Sequence, residues 1–324
     1  MYAARTIVLM VLAVLVMLPG CAKKITDLGI GHEKGLILDD TPFFPQEKYQ
    51  CGPASLAMLL GASGVAVHPD ALVPQTYLPG RRGSLQLELI AASRLHGRIP
   101  YVINPHIKAL IAELKAGRPV LVLQNLGLNI LPAYHYAVVI GMLPAGKVVL
   151  RSGREKNLEM DVERFLATWR RTDSWGMIAL KPGVLPVDPD PNRYLSAVSA
   201  FESQGNILPA EHSYQAAVEA WPKNQSALFA LANNYLSQNQ YSEAESLYRK
   251  LLEINEEHVA ASNNLAETLV HRGCYIEAFA LINQASITAT KLNSPLRDAI
   301  FQTQEEIKQH FNPALPIVNK SCNE

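Results

Sequence analysis

The sequence predicts an α+β domain followed by an all-α domain of helical repeats, and three observations carry that expectation. Over residues 41–183 helical and strand-like apolar patterns are mixed. Pro182, Pro186, Pro189 and Pro191 then break any regular structure, which reads as a linker over 184–192. Beyond them the pattern is helical and recurs every 34 residues. The 324 residues exceed one typical domain, and 48% hydrophobic against 18% charged residues supplies two packed cores.

Taken in order, residues 1–20 form an export signal. Arg5 gives the positive flank, and residues 7–18 are an almost unbroken apolar stretch. That stretch is short for a spanning helix, which needs about 20 residues. It ends in Leu18-Pro19-Gly20-Cys21, and A-x-A-like cleavage signals are absent. Residues 21–40 read as a tether. The α+β domain, 41–183, opens with a helix at Cys51: Pro53 suits a first turn, and Leu56, Leu59 and Leu60 give one apolar face. Residues 84–96 and 107–116 are helix-like, and 119–123, 135–142 and 147–151 are strand-like. A helix over 161–170 and a strand over 175–180 complete the domain.

The repeat domain is expected over 193–311, with 312–324 as a tail. Ala227 recurs as Ala261, Leu231 as Leu265, Tyr241 as Tyr275 and Ala244 as Ala278, each pair 34 residues apart, which is the tetratricopeptide period. A weaker earlier copy sets Gly205 against Asn239 and Gly273, and Tyr214 against Tyr248. Three repeats follow, about 193–226, 227–260 and 261–294, with a closing helix over 294–310 that covers the last apolar face.

Lys and Arg total 29, as do Asp and Glu, so the formal net charge is zero and nothing supports a nucleic-acid partner. The histidines other than His135 are scattered without metal-ligand spacing, so neither metal nor cofactor is expected. Four cysteines are few for an oxidising compartment. If Cys21, at the end of the signal stretch, is set aside, the remaining three cannot all pair, and Cys51 is the candidate free thiol. Cys274 is expected as a small packing residue of a repeat helix; its pairing with Cys322 stays open.

Cys51 would sit at the positive end of a helix dipole, which favours thiolate. Gln46 can turn a side-chain N–H toward a developing oxyanion; Gln50 is the competitor, less favoured because it adjoins Cys51. His135 opens the apolar strand His-Tyr-Ala-Val-Val-Ile-Gly. A thiol on a helix start facing an imidazole on a strand is what nucleophilic acyl transfer requires.

Gln46, Cys51-Gly52-Pro53-Ala54 and His135-Tyr136-Ala137-Val138-Val139 resemble the bacteriocin-processing cysteine peptidases, over about residues 41–180. That family is papain-like and cleaves leader peptides after double glycine, usually as a domain of an export transporter. The chain resembles still more closely the stand-alone periplasmic relatives that join such a domain to tetratricopeptide repeats. The resemblance implies Cys51 as nucleophile, His135 as general base and later acid, and Gln46 as oxyanion donor. The family's third member is an aspartate about one strand beyond the histidine, but residues 148–153 hold no carboxylate. Ser152 is the candidate for that place, with Glu155 and Asn157 in reach from the following turn. A Cys–His pair still works at reduced rate without an orienting carboxylate. Leu18-Pro19-Gly20-Cys21 resembles the bacterial lipobox, with Pro19 a less usual occupant. It implies cleavage before Cys21 and lipid attachment to it. Ala22 and Lys23 follow, and by resemblance to Gram-negative sorting they imply the outer membrane, facing the periplasm.

Three functions compete at this level. The first is a lipid-anchored periplasmic cysteine peptidase acting on a peptide or protein substrate, its repeats recruiting substrate or a protein partner on a concave surface. The second is a peptidase-like scaffold of weak or no activity. The third is an acyl transferase with the same Cys–His pair. A cell-wall amidase would carry a further histidine after the first, and none lies between His135 and His212. Two loops complete the expectations: 78–84 as a solvated basic turn, with the border of a substrate groove as the less favoured alternative, and the apolar 126–132 as a wall of the cleft.

Overall fold

The computed structural model describes residues 35–46, 50–144 and 146–310. The export signal, Cys21, Cys322 and the tail lie outside the described residues. The first half is organised by a seven-stranded antiparallel sheet. Its strands are β1 (Leu36–Ile37), β2 (Ile99–Val102), β3 (Val120–Asn125), β4 (Tyr134–Leu143), β5 (Lys147–Ser152), β6 (Glu155–Asp161) and β7 (Gly176–Leu180). They lie in the order β2-β7-β3-β4-β5-β6, with β1 pairing on β4. β4 has two jobs along its length. Its first half pairs with β3, His135 opposite Gln124, and its second half receives β1, Ile37 opposite Gly141. Gly141 is glycine for want of space: a Cβ there would stand 2.3 Å from the Leu36 carbonyl oxygen.

Side chains alternate across the central strands and feed two cores. Val120, Val122, Ala137, Val139, Val148 and Leu150 face one side. Leu121, Leu123, Tyr136, Met177 and Ala179 face the other, against helix α1 (Cys51–Ala62). Residues 52–60 of α1 are all buried. The expected single apolar face is thus a helix buried all round, wedged between the sheet and Leu72 of α2 (Pro69–Thr76) and Leu89 and Ala92 of α3 (Gln86–Leu95). The opposite sheet face is covered by α4 (Ile107–Lys115) and α5 (Val162–Arg170).

β1, β2, β6 and α2 are additions to the expected elements. β6 reads Glu-Lys-Asn-Leu-Glu-Met-Asp and is mostly exposed, so its strand state comes from pairing with β5 rather than from burial. β2 carries Pro100 at the sheet edge, where a missing N–H is tolerated.

The second half contains α6 (Pro191–Glu202), α7 (Ile207–Ala220), α8 (Gln225–Ser237), α9 (Tyr241–Ile254), α10 (Val259–His271), α11 (Tyr275–Lys291) and α12 (Arg297–His310). The first helices of the three pairs start at Pro191, Gln225 and Val259, the second at Ile207, Tyr241 and Tyr275, keeping the 34-residue step. Each first helix is capped at the equivalent position, where Asp190, Asn224 and His258 accept from the N–H three residues on. Gly205, Asn239 and Gly273 all have left-handed φ, 88°, 60° and 83°, which explains why those positions align in the sequence. Cys274 is buried and disulfide-bonded, so packing is not its whole role.

The prolines do not mark the boundary between cores. Tyr194, Val198 and Phe201 of α6 and Tyr214 of α7 belong to the same apolar cluster as the sheet. A second cluster begins at Leu228 in α8 and runs to Ile307. The linker is fastened down: the Asp190 N–H donates to Tyr101 Oη at 3.0 Å, and Val187 N–H to Glu113 Oε1 at 2.7 Å. Arg193 reaches back to the Val102 carbonyl and Asn104 Oδ1. Among the described residues no helix is long and apolar enough to cross a membrane.

Candidate active site

Cys51 is the first residue of α1, with Gln50 as its N-cap. Pro53 falls in the first turn, where backbone N–H groups have no intrahelical acceptor. Gly52 is required by packing: a Cβ there would stand 2.2 Å from Ser84 Oγ. The Cys51 thiol is free and half-buried. Burial pushes its pKa up; N–H groups of Tyr136, Gly52 and Cys51 itself turn toward the sulfur and oppose that rise without cancelling it. The helix start therefore delivers the expected donors, but desolvation outweighs them and the resting group is the thiol.

His135 stands at the start of β4, and burial lowers its pKa, so the resting ring is neutral. Pairing of β4 with β5 sets Val138 opposite Arg151 and brings Ser152 to the imidazole. His135 Nε2 and Ser152 Oγ lie 2.9 Å apart. A hydroxyl both donates and accepts, so it orients the ring without fixing the tautomer as a carboxylate would. The other two candidates do not share this place. Asn157 Oδ1 accepts from Arg151, and Glu155 is exposed.

Gln46 is buried and ties three segments together. Its Nε2 donates to Ser55 Oγ of α1 at 3.1 Å and to the Tyr136 carbonyl at 3.3 Å, while its Oε1 accepts from Gly153 N–H at 3.0 Å. Both amide hydrogens are engaged, so stabilising an oxyanion means exchanging the longer bond, to Tyr136. Below it lies Arg151, fully buried, donating to the carbonyls of Asp39, Thr41 and Lys156 and to Asn157. These bonds clamp the segment that carries Gln46 onto the β5–β6 hairpin.

Gln46, Cys51 and His135 line one cavity of about 970 Å³, which Gln50 does not line. Cys51 and His135 share this wall without a hydrogen bond between them; such contacts commonly tighten only when substrate is bound. The two loops fall differently: the basic one is an exposed turn that also borders the cavity, and the apolar one is not part of its wall. Residues 80–84 of the basic loop, with Leu85 after them, line the cavity. The apolar 126–132 loop stays outside it, Ile130 being 91% exposed, and is held from behind by Arg171 Nη1 on the Gly127 carbonyl.

Tyr136, Gly153 and Ser84 join the site without having been singled out. Tyr136 contributes mainly through its backbone, N–H toward the sulfur and carbonyl toward Gln46, which leaves no side-chain signature. Its place directly after His135 was the available signal. Among the described residues no group of three His, Cys, Asp or Glu side chains is placed to hold a metal ion.

Residues 38–177 match the Peptidase_C39 like family, and residues 195–254 and 229–290 match the tetratricopeptide repeat family. No curated protein matches the chain. Among solved structures, the peptidase domain of Streptococcus ComA, a bi-functional ABC transporter of a quorum-sensing pathway, is 20% identical, with a TM-score of 0.36, over 43% of this chain and 98% of that one. A double glycine motif protease from an AMS/PCAT transporter, solved with its leader peptide, is 18% identical, with a TM-score of 0.34, over 45% and 96%. The TPR2B domain of yeast Sti1, solved as a pHsp70 complex, is 15% identical, with a TM-score of 0.36, over 37% and 98%.

Proposed function

From a chain made of a Peptidase_C39-like domain followed by tetratricopeptide repeats, we propose a cysteine peptidase whose repeats recruit the substrate or a protein partner. The observation that carries the proposal is the convergence of Cys51, the Ser152-bonded His135 and Gln46 on a single cavity. In the chemistry this supports, Nδ1 of His135 takes the thiol proton as Cys51 Sγ adds to the peptide carbonyl carbon. The oxyanion is met by the Cys51 backbone N–H and by Gln46 Nε2. Collapse breaks the C–N bond, the imidazolium returns the proton to the leaving amine, and water, deprotonated by the same ring, hydrolyses the thioester.

The lipobox-like Leu18-Pro19-Gly20-Cys21 supports attachment of a lipid to Cys21 and a periplasmic address at the outer membrane. Globomycin-sensitive processing of the full chain and loss of membrane association in Cys21→Ala test that address. For the activity, wild-type protein should take up a thiol-reactive peptidyl probe at Cys51 and cleave a random peptide mixture, and Cys51→Ala should do neither. Undiminished labelling or cleavage by Cys51→Ala sinks the proposal. A second reading, a peptidase-like scaffold of little activity, is favoured by the thiol's raised pKa and by a serine standing where a carboxylate would orient the ring. Absence of turnover with intact peptide binding would select it.

A further inference from the structure

One wall of the thiol cavity is basic. Among the described residues lining it, Arg81 and Arg82 carry full charge and none is Asp or Glu. Both are exposed, and neither side chain has an ion-pair or hydrogen-bond partner among the described residues. Arg118, Arg249 and Arg272, by contrast, each pair with a glutamate.

The loop that presents the pair is a built element. Leu78 N–H donates to the Gly83 carbonyl at 2.8 Å, Arg81 N–H to Leu78 at 3.0 Å and Arg82 N–H to Pro79 at 3.2 Å, closing a single 3-10 turn over Pro79–Arg81. Arg82 itself has φ 50°, a left-handed conformation usually left to Gly or Asn. Gly80 and Gly83 flank it, yet the strained position carries the long cationic side chain. The next lining residue, Ser84, has a buried hydroxyl with no hydrogen-bond partner, packed against Gly52 beside the nucleophile. Two guanidinium groups without a partner among the described residues thus line the same cavity as the thiol.

Resting on the peptidase reading above, we infer that this wall selects a carboxylate: the site prefers peptides with an acidic group close to the bond that Cys51 attacks, held by Arg81 and Arg82. Guanidinium groups grip carboxylates through paired N–H donors, and a partly enclosed cleft screens that attraction less than open water does. The carboxylate comes either from an Asp or Glu side chain or from a peptide C-terminus.

The test uses fluorescence-quenched random octapeptide pools with one fixed Glu, Gln or Lys, each made with free and with amidated C-termini. Wild-type protein should cleave the Glu pool with kcat/KM about tenfold above the Gln pool and the Lys pool slowest. A preference for free over amidated ends, in place of Glu over Gln, assigns the chain terminus as the source. In either case the ratio should shrink with added salt, fall to about one in Arg81→Gln/Arg82→Gln, and turn toward Lys in Arg81→Glu/Arg82→Glu. Equal rates across all wild-type pools, or a ratio untouched by the double variant, overturns the inference. Anisotropy binding to Cys51→Ala separates it from the activity. Tighter binding of the Glu pool without any wild-type turnover retains the selection and rejects the peptidase; turnover without a preference does the reverse.

Discussion

The candidate site and the repeat array place their decisive residues in opposite ways. The site is assembled from four distant segments, and one bond, Gly153 N–H to Gln46 Oε1, spans 107 positions of sequence. The repeats are assembled from neighbours: Asp190, Asn224 and His258 each cap their own turn, three residues away. Long-range assembly concentrates chemistry in a few side chains that contribute little to the core. Local assembly spreads stability over many similar contacts. The first repeat belongs to both regimes, because α6 and α7 pack in the sheet's own cluster.

The largest effects should fall on the site and leave the fold intact. His135→Ala should lower kcat/KM by about 10³-fold and Ser152→Ala by about tenfold, since the first removes the base and the second only its orientation. Melting temperatures should move little in Ser152→Ala. Activity and melting measured on the same preparations check this, and equal rate losses for the two variants would show that Ser152 does more than orient the ring.

Next come variants that separate the two cores. Phe201→Ala should destabilise by about 3–5 kcal/mol, and it should open the peptidase-like domain itself. Ile282→Ala should cost about 2–5 kcal/mol but unfold only the distal helices, whose cluster begins at Leu228. Urea titrations followed by Cys51 alkylation distinguish the two: the midpoint shifts down in Phe201→Ala and stays put in Ile282→Ala. A shift in both would mean that the two clusters unfold as one.

The repeats were legible because each copy must solve the same packing problem, so Tyr241 and Tyr275 or Gly205 and Gly273 recur at one step. The strands 120–125, 134–143 and 147–152 were legible because a sheet covered on both faces demands continuous apolar runs. β6 was not, since an edge strand with charged residues looks like a loop until its partner is known. The family matches end at 177 and resume at 195, on either side of the prolines, but only tertiary contact tells that Tyr194 and Phe201 pack in the sheet's own cluster. Cys51, His135 and Gln46 announced themselves by residue type and order. The basic loop did not, because a Pro-Gly-Arg-Arg-Gly run says where the chain turns and nothing about what it turns against.

A smaller effect tests how the two ends of that loop meet the helix. Gly52→Ala puts a methyl group into Ser84, and overpacking of this kind costs about 1–3 kcal/mol. Ser84 and the loop beyond it are more easily displaced than the buried α1, so the expected signature is a rise in KM larger than the fall in melting temperature implies. Gly141→Ala is the control: its added Cβ strikes backbone of β1, away from the cavity, and should lower stability while KM is unchanged.

The finest probe is pH. Catalysis needs His135 unprotonated, and burial lowers its pKa below the ordinary 6.5. A lowered value means the ring takes a proton only at more acidic pH, so the acid limb of kcat/KM should lie below 6.5. The Cys51 shift runs the other way: the thiol stays protonated through neutrality, and the rate should not fall on the alkaline side as thiolate forms. Ser152→Asp sharpens the point. A carboxylate beside Nε2 stabilises the imidazolium, which raises the pKa and should carry the acid limb up by about one unit. It also fixes the tautomer that leaves Nδ1 bare for the thiol proton. A limb that does not move in Ser152→Asp would mean that the hydrogen bond between Ser152 and the ring is broken in the working enzyme, and that the site closes differently around its substrate.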